Sequence, residues 1–223
     1  MNKHPFKDAI RSQKSLLTPL EKKCLYWVAC RLPSFVSSDH LTLLGFFAMF
    51  LAGVSYAGAR WRPSALLLVN VWLALNWFGD SLDGTLARTR NKLRPRYGFY
   101  VDHIVDAFGA LFLLGGLALS GYMTPAVAIA LLLVYLLLSI DLYLATYTIG
   151  IFELSFWIFG PTELRILLAI GNIFVLFKRE VEVFGREYLF YDVSGAIATL
   201  SLAVVLVISV IRHTRDLYQA EKI

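Results

Sequence analysis

Apolar residues fall in long unbroken runs along this chain, separated by short polar clusters. Leu41–Ala59 is 19 residues without a charged side chain, and Pro63–Gly79 is a second uncharged run. Residues 107–140 contain no Asp, Glu, Lys or Arg. Thirty-four residues is too long for one crossing, and Gly121-Tyr122-Met123-Thr124-Pro125 divides the run with turn chemistry. Val193–Ile211 is another clear run of 19. About 20 apolar residues in a helix span the hydrocarbon core of a bilayer. The pattern therefore predicts membrane helices over 41–59, 63–88, 97–120, 124–149 and 193–211. A further one is shorter: Ile166–Phe177 holds only 12 uncharged residues, so this helix must start near Thr162 and carry Glu163 and Arg165. The expectation is an all-α integral membrane protein with six transmembrane helices, and no segment reads as a strand.

Residues 1–38 have a different texture. Thr18-Pro19-Leu20-Glu21 fits a capping box with Pro at the first helical position. Leu20, Cys24, Trp27 and Val28 then recur at helical spacing opposite Lys22 and Lys23. This predicts an N-terminal amphipathic helix lying in the membrane interface and stopping near Pro33. Two regions follow: an N-terminal segment over 1–38 and a membrane domain over 39–223.

Composition agrees with a membrane protein. The chain is 58% hydrophobic with mean hydropathy +0.64, and 17% of it is charged, against roughly 25% in soluble domains. The net charge of +5 reads as basic loops, not as nucleic-acid binding. With six spans and the N-terminus inside, the inner segments hold 16 Lys or Arg and the outer ones 5. The positive-inside rule then predicts both termini in the cytoplasm. Cys24 and Cys30 match no zinc or redox spacing. The first 35 residues show no cleavable signal pattern.

The chemistry concentrates in Asp80–Asp106, where Asp80, Asp83, Gly84, Ala87, Arg88, Gly98, Asp102 and Asp106 fall at D-x2-D-G-x2-A-R-x9-G-x3-D-x3-D. Chance would place these residue types on the order of once in 10¹⁰ starting positions. Asp80 and Asp83 lie one turn apart on one predicted helix, and Asp102 and Asp106 one turn apart on the next. Each carboxylate at membrane depth costs roughly 2.5–3.5 kcal/mol without compensation. Two divalent cations about 3.5–4 Å apart would neutralise four carboxylates and could still polarise a pyrophosphate. Hard oxygen ligands favour Mg²⁺, Mn²⁺ or Ca²⁺ over zinc. Gly84 and Gly98 leave room for a ligand or backbone to come close. Ala87 keeps its face small, and Arg88 offers a planar fork for phosphate.

This pattern resembles the signature of the CDP-alcohol phosphotransferase family, with every motif position filled. The resemblance implies a membrane enzyme that moves a substituted phosphate group from a CDP-alcohol donor to an acceptor hydroxyl and releases CMP. The acceptor would be a lipid or a small polar alcohol. It further implies Asp80, Asp83 and Asp102 as ligands of two Mg²⁺ or Mn²⁺ ions. Asp106 would complete the second metal site or act as catalytic base, with Gly84, Ala87, Arg88 and Gly98 lining the CDP pocket, in a homodimer whose active site opens to the cytoplasm. The length of the chain favours CDP-diacylglycerol with a small polar alcohol. The alternative is choline- or ethanolamine-type transfer to diacylglycerol, which the D-H-x2-D variant at His103 resembles. Two readings of other classes are a divalent-cation transporter and an inactive homologue.

Other polar positions stay open at this level. His103 is a general base or a hydrogen-bond partner of a neighbouring aspartate. Arg165 binds an acceptor phosphate or pairs with Glu163, while Thr162 is expected to cap its helix. Asp141 belongs to a cavity or to a hydrogen bond inside the bundle. Asp39 stands where many members of the resembled family carry Asn, and it either nears the pyrophosphate or caps the first membrane helix. Arg90, Lys92, Arg94 and Arg96 read as a basic cytoplasmic loop or as a patch that attracts anionic lipid or substrate.

Overall fold

The computed structural model describes residues 18–149 and 161–222. It is helical apart from one small hairpin. The helices are α1 (Thr18–Ala29), α2 (Ser38–Ala59), α3 (Ala65–Thr89), α4 (Pro95–Ser120), α5 (Pro125–Thr148), α6 (Pro161–Phe177) and α7 (Phe190–Ala220). Five of these, α2 to α5 and α7, are long and apolar enough to cross a membrane. The remaining predicted span is α6, whose 17 residues extend about 26 Å at 1.5 Å per residue.

The expectation of no strands is corrected between α6 and α7. Strands β1 (Glu180–Val183) and β2 (Arg186–Leu189) pair antiparallel. Phe184 and Gly185 both take positive φ, as a tight hairpin turn demands. Four-residue strands with alternating charge leave too little period to read in advance.

Lipid is as apolar as leucine, so membrane helices associate through close packing and polar contacts, not through removal of apolar surface from water. The chain meets this with glycine crossings. A Cβ at Gly53 would come within 2.2 Å of the Phe112 carbonyl oxygen, and one at Gly116 within 2.1 Å of that of Gly53. At the other end of α2, a Cβ at Gly79 would lie 2.6 Å from the Leu41 carbonyl oxygen. Only backbone fits at these seams, and they hold α2 directly against α3 and α4. Asn76 adds a hydrogen bond from α3 to the Gly45 carbonyl at 3.1 Å. Outward, Phe47, Phe50, Leu67, Val71 and Leu133 are exposed, as side chains facing acyl chains should be.

Asn172 on α6 is fully buried and ties the helices together. It accepts from the hydroxyls of Tyr56 (2.8 Å) and Tyr191 (2.5 Å) and donates to Asn70 (2.7 Å). Near the aspartates a second cluster joins α1 to the bundle through Leu25, Ala29, Leu41, Leu82 and Leu86. In α1 the buried side chains are thus Leu25 and Ala29, while Trp27 and Cys24 are exposed. Of the predicted stripe, Val28 packs against this cluster, while Cys24 and Trp27 are exposed. Trp27 lies outward, on the side available to an interface.

Candidate active site

The C-terminal half of α3 carries Asp80, Asp83, Gly84, Ala87 and Arg88; the N-terminal half of α4 carries Gly98, Asp102, His103 and Asp106. The chain folds back between them through a short basic turn. Asn91 takes positive φ there (52°), and Pro95 opens α4 in its first turn, where a missing N–H costs nothing. This turn aims the two aspartate pairs at each other. Asp106 interacts electrostatically with Asp80, Asp102, Asp83 and Arg165, and Asp83 with Asp80 and Asp102. The four carboxylates predicted from the motif therefore converge.

Two of them are held by protein donors. The Arg165 guanidinium of α6 donates to Asp80 Oδ2 at 2.7 Å, with the two side chains 16% and 28% exposed. Thr42 Oγ1 donates to Asp83 Oδ2 at 2.6 Å, and the Gly84 N–H donates to Asp83 Oδ1 at 2.5 Å. Ser38 Oγ reaches the Asp83 carbonyl at 3.1 Å. Among the described residues no three acidic, His or Cys side chains close on one point as a finished metal cage. The chemistry of the donor set nonetheless fits hard divalent cations: all donors are carboxylate oxygens, and their mutual repulsion is what such a cation relieves.

Arg88 is exposed, and its guanidinium lies over Gly84: a Cβ there would be 3.6 Å from Nη2. Gly98 faces open space, with no atom within 4 Å of a Cβ built on it. Neighbouring protein atoms therefore do not demand glycine at 98, and the space beside it is free for a ligand. Ala87 is half-buried on the same helix.

His103 is turned towards α5. Its Nδ1 donates to the Phe99 carbonyl at 2.5 Å, its ring packs 4.1 Å from Phe99, and Tyr143 meets it edge-on at 4.6 Å. Tyr135 and Tyr143 of α5 both interact electrostatically with Asp106, so α5 forms one wall of the site. No motif singles out these tyrosines. Thr42 fills the Thr of the P-N-x2-T context in which many members of the resembled family carry Asn at the position of Asp39, and it stands one turn from Ser38 on the helix that crosses α3.

The remaining polar expectations are placed as follows. The N-cap of α2 is Ser37, which forms a capping box with His40. Asp39 lies in the first turn and pairs with Arg94 of the α3–α4 turn, so it neither caps α2 nor joins the four carboxylates. Arg90 is more than a loop charge. Its guanidinium donates to the carbonyls of Leu32, Pro33, Ser34 and Val36 and closes the α1–α2 connection onto α3. Arg165 pairs with Asp80 across the site. Thr162 sits inside the first turn of α6, which begins at Pro161, so it does not cap that helix from outside; Phe159 and Gly160 lie outside the described residues. Asp141 is a bundle hydrogen-bonder: it accepts from Ser209 Oγ at 2.6 Å and faces His213 Nδ1 at 3.2 Å on α7.

Comparison with known proteins agrees with this geometry. A 30% identity over 86 residues relates the chain to an archaetidylinositol phosphate synthase of Pyrococcus horikoshii. That stretch covers 39% of this chain and 43% of the relative, so the chain matches less than half of that protein's length. The sequence profile described as CDP-alcohol phosphatidyltransferase matches residues 31–217, from just before α2 to near the end of α7 and across both aspartate pairs. The chain belongs to the CDP-alcohol phosphatidyltransferase family.

Proposed function

We propose that this protein transfers a phosphatidyl-type group from a CDP-linked lipid to the hydroxyl of a small polar alcohol that itself carries a phosphate, releasing CMP. The observation that carries the choice of acceptor is Arg165. It is a cation placed among the four carboxylates by a separate helix, α6, and paired to Asp80. A guanidinium there can exchange its carboxylate partner for an acceptor phosphate once substrates enter. The relative's name, archaetidylinositol phosphate synthase, supports an acceptor of that class. The alternative route, transfer of a head group to diacylglycerol, would use His103, whose Nδ1 is held by the Phe99 carbonyl so that only Nε2 could act as base.

In this reading Asp80, Asp83, Asp102 and Asp106 would hold two Mg²⁺ or Mn²⁺ ions, which supply charge neutralisation on the pyrophosphate. The acceptor oxygen attacks the phosphorus that bears the lipid alcohol, and the bond from that phosphorus to the bridging oxygen breaks. CMP leaves with the electron pair. Arg88, over Gly84 and open to solvent, receives the charge of the departing nucleotide. Asp106, which interacts with Arg165 and with Tyr135 of α5, takes the acceptor's proton. Thr42 and the Gly84 N–H fix one rotamer of Asp83, so the pocket needs little reordering when substrate arrives. The positive-inside asymmetry supports an orientation with this end of the bundle in the cytoplasm, and the family resemblance supports a homodimer.

The test is a CMP-release assay on purified protein over a grid of donors and acceptors. CDP-diacylglycerol paired with inositol phosphate or glycerol phosphate should be active, and the same alcohols without phosphate should be much weaker. Activity confined to CDP-choline or CDP-ethanolamine with diacylglycerol would overturn the proposed donor and acceptor.

A further inference from the structure

At the end of the bundle away from the aspartates lies a cavity of about 500 Å³. It is bordered by the C-terminus of α2, the α4–α5 turn and the base of the hairpin. Along α3 and α4 it is about 20 Å from Asp80 and Asp106 at the helical rise per residue, so it is separate from the site described above. Its lining includes Arg60 and Arg179 and no acidic residue. Neither arginine is in an ion pair among the described residues.

One of these arginines is held in place. Arg179 donates through Nη2 to the Gly121 carbonyl and packs its guanidinium 4.9 Å from the Tyr122 ring. Gly121 closes α4 in the left-handed conformation, φ 77°, which turns the following backbone beside Arg179 and which other residues adopt only with strain. Nearby, Asp192 is committed to the Thr124 N–H at 2.7 Å. Guanidinium has five donors in a fixed fork, and the Gly121 carbonyl takes one site of Arg179. The rest of the wall joins apolar residues such as Ala59, Pro63, Leu119 and Leu189 to the hydroxyl-bearing Ser120 and Thr124. Leu119 is 63% exposed.

We propose that this cavity is a binding site for a phosphate-bearing ligand, with Arg60 and Arg179 taking the phosphate. Both guanidiniums are exposed at the mouth of one cavity whose lining holds no acidic side chain among the described residues, so their shared field attracts an anion. The volume lies within the ordinary range of small-ligand sites. The chemistry is met by an anionic phospholipid headgroup, whose glycerol would rest on Leu119 and Pro125, or by free phosphate.

The experiment compares wild type, Arg60→Gln, Arg179→Gln and Arg62→Gln in detergent, probed with dioctanoyl phosphatidylglycerol and with inorganic phosphate. Binding is followed by native mass spectrometry and by ligand-induced thermal shift. Arg60 is exposed, so its variant should keep the ligand-free melting temperature and decides the outcome if Arg179→Gln loosens the turn. The expected result is binding of at least one probe that Arg60→Gln weakens about 10-fold, as loss of a charge-assisted contact should, and that Arg62→Gln leaves alone. Tighter binding of the lipid than of phosphate identifies a headgroup as the ligand; equal binding identifies the free anion. Binding of both probes that is the same in Arg60→Gln as in wild type, or no binding by wild type, overturns the proposal.

Discussion

Arg165→Gln is the perturbation that separates the roles available to the cation in the aspartate cluster. The pair with Asp80 is short, 2.7 Å, and both side chains are less than one-third exposed. At an effective dielectric of about 20, two unit charges near that distance attract by roughly 6 kcal/mol, most of which desolvation cancels. A net of about 1–3 kcal/mol is what the variant should lose in thermal stability, with the bundle still folded. In turnover the same guanidinium should matter differently. If it passes to the acceptor phosphate, its loss removes a charge-assisted contact worth roughly 1.5–3 kcal/mol, so the acceptor KM should rise about 10- to 150-fold. The donor KM should stay within about 3-fold, since Arg88 is unchanged. Half-saturation by Mg²⁺ should move the other way, because Asp80 loses a competing cation. The assay is CMP release against acceptor, donor and Mg²⁺ in turn. An acceptor KM equal to wild type, with the expected loss of stability, would refute the role in acceptor binding and leave Arg165 a structural partner of Asp80.

Other residues give independent checks. Asp80→Asn or Asp102→Asn should abolish transfer in a folded, membrane-inserted protein, and turnover above about a tenth of wild type would contradict their assignment as metal ligands. Arg88→Lys should lose most of kcat/KM for the donor although the charge remains, because an ammonium lacks the bidentate fork; unchanged efficiency refutes contact with the nucleotide. Asp106→Asn should lower turnover roughly 10²–10⁴-fold and His103→Ala only mildly; the reverse order would make His103 the base. Arg90→Ala should lower stability by about 2–4 kcal/mol, since it strips a charged donor from four carbonyls. Hydrogen exchange should then rise at 32–36, and unchanged protection there would show the clasp to be incidental.

The aspartates were legible because their information is local. Asp80 with Asp83, and Asp102 with Asp106, each sit one helical turn apart, and uncharged runs on either side announce the helices that carry them. Which side chains meet them was not legible, because the partners come from elsewhere in the chain. Thr42 is 41 residues from Asp83 and Arg165 is 85 from Asp80. Asp39 illustrates the same limit. Its place near a cap suggested helix chemistry, yet Ser37 with His40 takes that work, and Arg94, 55 residues on, takes the carboxylate. Arg90 looked like any basic loop residue, because a clasp on backbone carbonyls leaves no trace in side-chain pattern. The hairpin escaped for another reason: Glu180–Val183 and Arg186–Leu189 are too short for period two to stand out.

The seam between α2 and α3 connects packing to chemistry. Gly79 admits α2 to backbone distance immediately before Asp80, and the same crossing carries Ser38 and Thr42 to Asp83. A larger residue at 79 would push α2 outward by the overlap at Leu41, where only 2.6 Å is available. The first consequence would be a lost hydroxyl contact on Asp83, and only then a loss of helix packing. The membrane forces this economy. Because apolar burial gives little net attraction between helices in lipid, the crossing must be made by small residues and polar contacts. Here both stand within one turn of the carboxylates. The feature that holds the bundle together at this end is therefore also the one that sets the rotamer of Asp83, and stability and catalytic geometry cannot be altered separately along this seam.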